Sequence, residues 1–432
     1  MLVFKPPEYL NLYKFHILLC DLKWLSVSLN TLTDFVFIWN TTLLQMEKEP
    51  MLSLPFKTSS YHLDESHMQQ LAQKWVTLQG KANSSAFIAW FWIERWLAQK
   101  NLSTHNCLCV EVKQGQDTVG LALFGIKTKK VFWGLSFNQY FLHKSGNIKE
   151  DQTWIEHNTF LLHKDYEQQL AAEICQQLAK IEQLDDIKIG LSSPDFINKL
   201  NFVDFKIRTE LSSPAYLANL AGLTSLDDYL ATLSKNTRSH IKRSIKILNE
   251  KSPLRLVLAT DATEKNTLLK NIADLHRIKW RSTVYGSGFD NPCFYNFHQG
   301  LIQDENSAQN CRLYTLYQDD IALGHLYLLT QGDRWSFYLS ALNFNEDNRI
   351  KVGLVIHSLV IEQAIKQGVT VYDFLAGEAQ YKNSLSNAPP YEQHIYCFYR
   401  NKPLLLLRER LRKCKRIIFG GLFSSLRMKL ND

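Results

Sequence analysis

The order of apolar and polar positions divides most of this chain into two segments with the same succession of elements. In the first segment, helical patterns over 61–101 precede three short strand patterns between 107 and 135, the last of them at 130–135. A helical pattern at 166–183 and a strand pattern at 187–191 follow. Helices, a small antiparallel meander, a helix and a strand in that order are typical of α/β architecture.

The second segment repeats this order more clearly. In chain order its pattern predicts helices 225–233 and 236–251, strand 254–259, helix 263–281, strands 311–317, 321–330 and 334–342, helix 351–367 and strand 369–375. The two modules share their plan but no residue-level repeat, so the predicted duplication depends on element order alone.

Length and composition support two modules with appendages. A chain of 432 residues exceeds the ~250–300 residues at which a single core stops growing. Hydrophobic residues make up 45% and charged residues 21%, as in soluble globular proteins. We predict an N-terminal extension at 1–50, an N-terminal degenerate module at 51–215, a C-terminal module at 216–400 and a tail at 401–432.

The first fifty residues are patterned differently from the rest. The apolar stretch at 15–39 is interrupted by charged residues, so it falls short of the ~20 apolar residues that a membrane span needs. It also lacks the features of a secretory signal. Met46 and Met51 both precede the start of globular patterning. One hypothesis is therefore that the native chain begins at one of these methionines.

The net charge of +7 is confined to the tail. Residues 401–432 hold nine lysines and arginines against Glu409 and Asp432, which leaves the body of the chain neutral. A nucleic-acid-binding protein normally presents a cationic face on a folded body, so we expect no nucleic-acid partner.

The eight cysteines are scattered, and only Cys107 and Cys109 lie close together. A zinc site needs paired ligands at short spacings and a disulfide framework needs a small, cysteine-dense chain, so neither is expected. Scattered thiols are typical of a reducing compartment, and we predict a cytoplasmic protein without a metal.

The segment Arg349–Gly353 marks the start of a predicted helix. Free backbone amides, the positive end of the helix dipole and the cations Arg349 and Lys351 meet there, beside Val352 and Gly353. These are the ingredients of a pyrophosphate site, and Gly353 has no Cβ to hinder a close approach. The alternative is a helix start made polar for solubility.

The helix that follows is apolar on nearly all faces and leads directly into the strand 369–375. A buried crossover helix predicts that this strand lies parallel to the strand 334–342. Ligands bind where parallel strands diverge at their carboxyl ends.

At that carboxyl end, two carboxylates, a phenol and an ammonium group fall within ten residues: Asp373, Glu378, Tyr381 and Lys382, with Gly377 among them. Loops at strand ends are where rigid scaffolds place reactive groups. A polar turn with Tyr381 packed inward is the alternative, and spacing alone does not decide between the two.

These features together resemble a known family. The run from Leu313 to Tyr399, with its strand hairpin, its Gly353 at a helix start and its Asp373–Lys382 stretch, resembles the GNAT-type acetyltransferase domain of the CelD-like group, named after a cellulose-biosynthesis protein. That group is similar to the Fem-type aminoacyltransferases, which carry two GNAT-like modules in one chain. The likeness extends more faintly back to Leu226. Relatives often have Ser-Pro-Gly where this chain has Lys351-Val352-Gly353.

The resemblance implies an α/β (α+β GNAT-like) fold with two tandem modules, each a mixed central sheet flanked by helices. It also implies an acetyltransferase that moves an acyl group from acetyl-CoA or another acyl-CoA to an amino or hydroxyl group of a small-molecule or saccharide acceptor. A sugar, a polysaccharide or an envelope precursor fits that description. The expected CoA-binding residues are Arg349, Lys351, Val352, Gly353 and Gly377.

Acyl transfer needs a base, an oxyanion donor and a proton source. We assign Lys382 to the oxyanion or an acceptor phosphate and Tyr381 to the departing thiolate. Glu378 or His325 is the expected base, although a histidine among strand leucines is more often structural. Asp373 is expected to orient Lys382 as an ion pair.

Arg238 and Lys242 belong to a basic stripe on the helix after Asn236. The stripe either faces solvent or binds a substrate phosphate.

The tail combines apolar positions at helical spacing with a basic remainder over residues 402–419. Such a segment either contacts the inner face of an anionic membrane peripherally or docks on the body with its basic side in water.

Two other functions remain open from the sequence: a Fem-type transferase that uses aminoacyl-tRNA, and a non-catalytic membrane-associated adaptor that kept the fold. The altered residues before Gly353 favour the adaptor, and the neutral body disfavours the tRNA-dependent enzyme.

Overall fold

A computed structural model describes residues 55–98, 106–130, 136–282, 286–343, 347 and 349–412. The predicted extension at 1–50 and the second half of the tail lie outside the described residues. No helix in the described part is long and apolar enough to cross a membrane.

The first half contains a meander, flanking helices and one long exit strand. Its elements are β1 (Phe56–His62), α1 (Glu65–Gln79), α2 (Trp90–Leu97), β2 (Cys107–Gln114), β3 (Asp117–Lys130), β4 (Ser136–Leu142), β5 (Leu161–Leu162), α3 (Glu167–Ala179), β6 (Asp186–Ser192), α4 (Pro194–Asn198) and β7 (Phe205–Asn219).

Among the described residues, the second half repeats the plan with three more helices before its meander. Its elements are α5 (Leu226–Thr232), α6 (Lys235–Lys251), β8 (Leu254–Leu258), α7 (Ala262–Trp280), α8 (Pro292–Gln303), α9 (Glu305–Ala308), β9 (Cys311–Gln318), β10 (Ile321–Gln331), β11 (Arg334–Leu342), α10 (Val352–Lys366), β12 (Val371–Ala376), α11 (Gln380–Leu385) and β13 (Tyr391–Arg400). Residues 403–412 are also helical.

Side-chain caps set several helix starts. The Asp64 carboxylate accepts the Ser66 and His67 amides at the start of α1. The Ser225 and Ser234 hydroxyls accept amides at the starts of α5 and α6. Each cap satisfies a backbone donor that would otherwise have no partner within the helix.

One mixed sheet joins all the strands of the described residues. Its order is β1-β2-β3-β4-β6-β13-β7-β12-β11-β10-β9-β8, with β5 on β3. At the centre of the sheet, each half contributes one strand to the other half. The strand β13, from the end of the chain, lies between β6 and β7, and β7, from the first half, pairs with β12. The predicted boundary at 215/216 falls inside β7, and the division into two modules stays a prediction.

The mixed α/β fold expected from the resemblance is confirmed. The strand 371–376 lies parallel to β11 as predicted, with α10 as the crossover. The third strand of the first meander is an exception, since it occupies 136–142 and the residues 131–135 lie outside the described part. The long strands β7 and β13 were not predicted.

Three apolar clusters cover the two faces of the sheet. On one face, α1, α2, α7 and α8 form a cluster shared by both halves, and it includes Trp75, Trp92 and Phe294. The other face carries one cluster around α3 and another around α10. Strand alternation accounts for this division, since Leu313 joins the shared cluster and Tyr314 the cluster around α10.

Candidate active site

The parallel strands β11 and β12 separate soon after they begin. Their register covers only Arg334↔Val371 to Ser336↔Asp373, while β11 continues to Leu342. Beyond that point β11 is still paired with β10 on its other side. The Ser336 hydroxyl at the point of separation is buried and has no hydrogen-bond partner among the described residues. The separation opens a wedge with a backbone edge as one wall.

The end of β11 adjoins the start of α10. A Cβ on Gly353 would lie 3.1 Å from the Leu342 Cδ1 atom, so the free edge of β11 leads directly to the helix N-terminus. No side chain of the described residues caps α10. The Ser244 hydroxyl of α6 accepts the Lys351 amide at 3.0 Å and fixes the entry of the chain into the helix.

The cationic side chains predicted here lie at the surface. Lys351 is exposed, and Arg349 is 70% exposed and ion-paired with Asp347 at 2.8 Å. The backbone of the predicted phosphate site is thus in place, whereas one of its two cations has a carboxylate partner. Whether Arg349, Lys351, Val352 and Gly353 bind CoA stays a prediction.

Asp373 is the centre of a buried network at the mouth of the wedge. Its carboxylate accepts from His157 Nε2 at 2.9 Å, Arg334 Nη1 at 2.6 Å and the Tyr391 hydroxyl at 2.7 Å. The Leu375 amide donates to it at 2.8 Å. These partners outweigh burial and lower the pKa of Asp373 to about 2. Its ion pairs are with Arg334 and His157, so the predicted pairing with Lys382 is wrong.

Glu156 is a second buried carboxylate in the same network, with the opposite pKa shift. One oxygen, Oε2, accepts from the Ala376 amide at 2.8 Å and from Gln393 Nε2 at 3.2 Å. Oε1 has no hydrogen-bond partner among the described residues. Burial raises the pKa of Glu156 to about 7, because only neutral donors contact it directly.

Lys382 projects from α11 back toward the end of β12. Its Nζ donates to the Ala376 carbonyl at 2.6 Å and to the Leu375 carbonyl at 3.3 Å. Burial lowers the pKa of Lys382, and the carboxylates of Glu156 and Asp373 oppose that shift. The ammonium group therefore holds the loop after β12 and adds a positive charge beside Glu156.

Several backbone conformations around this network are uncommon. His157, Trp154 and Leu375 have φ values of 47°, 46° and 62°, a region that non-glycine residues seldom occupy. Gly377 has φ 115°, and its amide donates to the Ser213 hydroxyl and the Pro214 carbonyl, both at 3.0 Å. Such strain clusters at functional sites, since the surrounding structure must hold it in place.

The corresponding gap in the first half is closed. There β4 and β6 are parallel and paired only from Gln139↔Asp186 to Phe141↔Lys188. Beyond these pairs the buried Asn158 bridges the two strands, because its amide donates to the Leu191 carbonyl and its Nδ2 to the Leu142 carbonyl, both at 2.9 Å. The loop that closes this gap also carries Glu156 and His157 to the end of β12.

The other predicted site residues lie in different settings. His325 is buried and hydrogen-bonded to Thr315 at 2.9 Å, and burial lowers its pKa to about 4. Glu378 is exposed. The Tyr381 ring stacks on His357, and burial raises its pKa to about 12. Their catalytic roles stay predictions.

The basic stripe of α6 faces largely outward. Lys242 is exposed and pairs with the exposed Asp227 at 2.8 Å, while Arg238 is partly buried. Their substrate-binding role also stays a prediction.

Sequence reasoning missed five residues of the network, which are Glu156, His157, Arg334, Tyr391 and Gln393. They come from the loop after β4 and from the starts of β11 and β13. The only local signal is the charged and polar stretch 156–158 between apolar neighbours. His157 is 216 residues from Asp373 in sequence, so only the fold brings them together.

Residues 235–383 match the model of the GNAT acetyltransferase domain. That segment includes the wedge, the start of α10, Asp373 and Lys382. The chain therefore contains a GNAT acetyltransferase domain at residues 235–383. The match leaves the finer CelD-like assignment a prediction.

The chain was also compared with solved structures, of which FemX supports the fold. The chain resembles FemX with a TM-score of 0.55 and 14% identity, over 81% of this chain and 99% of FemX. It also resembles the C-terminal domain of a putative lysylphosphatidylglycerol synthetase from Agrobacterium fabrum (TM-score 0.47, 6% identity, 81% and 96% covered). A third structure is a tandem GNAT protein from the clavulanic acid biosynthesis pathway (0.41, 10%, 81% and 99%). No curated protein sequence matches the chain.

Proposed function

We propose that this acyltransferase uses acyl-CoA as donor and an amino or hydroxyl group of a sugar, polysaccharide or envelope precursor as acceptor. The observation that carries the donor is the wedge between β11 and β12, whose free edge leads to a helix N-terminus that no described side chain caps. A backbone edge can hydrogen-bond the amides of an extended pantetheine arm, and a helix N-terminus favours phosphates.

Glu156 is the proposed general base. A carboxylate with a pKa of about 7 is ionised in part at neutral pH and is a stronger base than an ordinary glutamate. Its unpartnered Oε1 is free to accept a proton from the acceptor amine or hydroxyl. The acceptor heteroatom then bonds to the thioester carbonyl carbon, the carbon–sulfur bond breaks, and the thiolate takes up a proton.

Asp373 has a positioning role in this scheme. Its low pKa keeps it ionised, and it fixes His157 next to Glu156 while its second oxygen holds the Leu375 amide. Lys382 fixes the adjoining carbonyls of Leu375 and Ala376. Asp373 and Lys382 thus hold the surroundings of Glu156 in place, and neither of them transfers a proton in this scheme.

The donor is tested with the full-length protein by thermal shift and by release of free thiol from acetyl-CoA. A bound donor raises the melting temperature, and the rise grows with the logarithm of the ligand concentration once that concentration exceeds Kd, as mass action requires. Turnover that depends on an added amino sugar or polysaccharide would support the acceptor class. An unchanged melting temperature at millimolar acetyl-CoA and at millimolar CoA would show that the donor assignment is wrong.

A Fem-type aminoacyl transfer is the alternative function. The similarity of fold to FemX, over nearly the whole length of FemX, supports this alternative. The same scheme serves an aminoacyl ester, with a tRNA hydroxyl as the leaving group. Transfer of a radiolabelled amino acid from aminoacyl-tRNA, with no response to CoA, would select this alternative.

A further inference from the structure

The described part of the tail docks on the body through its charged side. Arg408 makes two hydrogen bonds of 2.8 Å to the buried Asp186, and its guanidinium lies over the Phe137 ring. The buried Glu409 pairs with Arg208 and Arg412. Leu405 is the fully buried leucine of this helical segment.

The leucines beside this docked face point into solvent. Leu404, Leu407 and Leu411 are 39%, 52% and 57% exposed. Their i, i+3, i+7 spacing puts them on one stripe of the helix 403–412. The helix docks on the body, as in one alternative considered from the sequence, but the leucines are exposed beside Arg410 and Arg412. Single exposed leucines are ordinary on a protein surface, whereas three on one stripe of a helix form a contiguous apolar patch of the kind that marks an interaction site.

Charges adjoin the leucine stripe on both sides. The exposed Arg412 follows one edge and the exposed Arg410 lies toward the other, whereas Arg408 is paired inward with Asp186. The sequence after 412 adds five lysines and arginines against one carboxylate, Asp432. An apolar stripe bordered by cations matches the interface of an anionic bilayer, where acyl chains accept leucines and headgroups accept arginines.

We infer that the leucine stripe of Leu404, Leu407 and Leu411 is a membrane-docking surface for anionic lipid bilayers. The ion pairs of Arg408 and Glu409 hold the helix against the body, so the stripe is presented without a change in fold. The inference is independent of the donor and acceptor proposed above.

Co-sedimentation of the full-length protein with vesicles tests this surface. We expect binding to vesicles of equal phosphatidylglycerol and phosphatidylcholine and none to phosphatidylcholine alone. The triple variant L404S/L407S/L411S should lose at least about tenfold in vesicle binding, since each leucine contributes apolar area. L407S alone should give a smaller loss.

The control removes three apolar side chains elsewhere that are more exposed than the leucines, in the variant I148S/I278S/I321S. These isoleucines are 88%, 71% and 67% exposed. The control should bind vesicles like the parent, and both variants should keep the parent melting temperature. A triple leucine variant that binds as well as the parent would show attraction by charge alone and overturn the inference.

Two further outcomes also overturn it. One is a parent protein that does not sediment with anionic vesicles. The other is a parent that light scattering shows to be a dimer, with L404S/L407S/L411S a monomer and neither bound to vesicles, because the stripe would then be an interface between two copies.

Discussion

Two buried carboxylates lie in one network with opposite pKa shifts. Asp373 contacts the guanidinium of Arg334, the ring of His157 and two further donors, so its ionised form is stabilised. Glu156 has only an amide and a side-chain amide as direct donors, so burial dominates. When their environments separate the pKa values of two neighbouring acids, the two acids can take different roles in catalysis.

Glu156→Gln is expected to lower kcat/KM by roughly 10²–10⁴-fold, as for loss of a general base. In the parent, kcat/KM should rise with pH through a pKa near 7, because the base acts only when deprotonated. The pH–rate profile of the variant should lose this step. Glu305→Gln, at an exposed position, is the control for the change of charge.

Glu378→Gln distinguishes the base expected from sequence from the base seen in the structure. If Glu378→Gln abolished turnover and Glu156→Gln did not, Glu378 would be the base and the assignment of Glu156 would fall.

The stability of the parent should also depend on the ionisation of Glu156. Its folded pKa is raised from 4.5 to about 7, so the folded state binds the proton more tightly than the unfolded state. This contribution is complete below pH 4.5 and is lost as pH rises through about 7. In urea unfolding, the free energy of unfolding of Glu156→Gln minus that of the parent should therefore be larger at pH 8 than at pH 5.

Asp373→Asn tests the buried ion network. The substitution removes the charge that Arg334 and His157 face and should cost about 3 kcal/mol at pH 7. Since the pKa of Asp373 is lowered to about 2, the parent loses this stability as pH falls from 3.8 through 2, and the difference between the two proteins should shrink in that window.

The exposed pair of Asp227 and Lys242 supplies the matched control. Asp227→Asn should change the urea midpoint very little, because water screens exposed pairs. Equal effects of the two substitutions would show that the network around Asp373 does not stabilise the fold.

At the level of elements, the start of α10 and the free edge of β11 form the donor half of the proposed site. A side chain at Gly353 would crowd this helix start, since a Cβ there would lie 3.1 Å from the Leu342 Cδ1 atom. The end of the Leu342 side chain can shift to make room for a new side chain, whereas a pyrophosphate bound at the proposed site cannot.

Gly353→Val is therefore expected to raise the KM for acetyl-CoA about tenfold or more, with kcat less affected. Steady-state kinetics with varied acetyl-CoA give both constants. Gly80→Val, where the nearest atom to a Cβ is 3.7 Å away, should leave both unchanged. An unaltered KM in Gly353→Val would place the pyrophosphate elsewhere.

For the whole molecule, the pairing of β13 with β6 and of β7 with β12 joins the two halves in one sheet. Removal of either strand would interrupt the sheet at its centre. The cluster around α10 would lose Tyr216 and Ala218 of β7, and the cluster around α3 would lose Tyr396 and Phe398 of β13. Tyr391 and Gln393 at the start of β13 would leave the site as well.

We therefore expect residues 55–412 to unfold in one cooperative transition. Calorimetry and tryptophan fluorescence should give the same midpoint, since tertiary coupling makes separate melting of the halves unfavourable. Two well-separated transitions would instead show that the halves are independent domains with a boundary near residue 215.

The sequence by itself determined the local structure of the second half. Its apolar periodicities predicted α6, α7, β9, β10, β11 and α10 within a few residues, because each element has a continuous pattern and a turn or cap at its ends. The burial of α10 also predicted the parallel pairing of β12 with β11. It was less successful for β4, since the third strand pattern was placed at 130–135 and the strand lies at 136–142.

Only the tertiary structure decided how the halves combine. The position of β13 between β6 and β7 depends on pairing across the whole chain, and no local pattern encodes it. The same is true of the site. Asp373 and Lys382 were visible as polar residues at a strand end, but Glu156 and His157 reach them from a loop over 200 residues away. Burial, which sets the pKa of Glu156, exists only once the chain has folded around it.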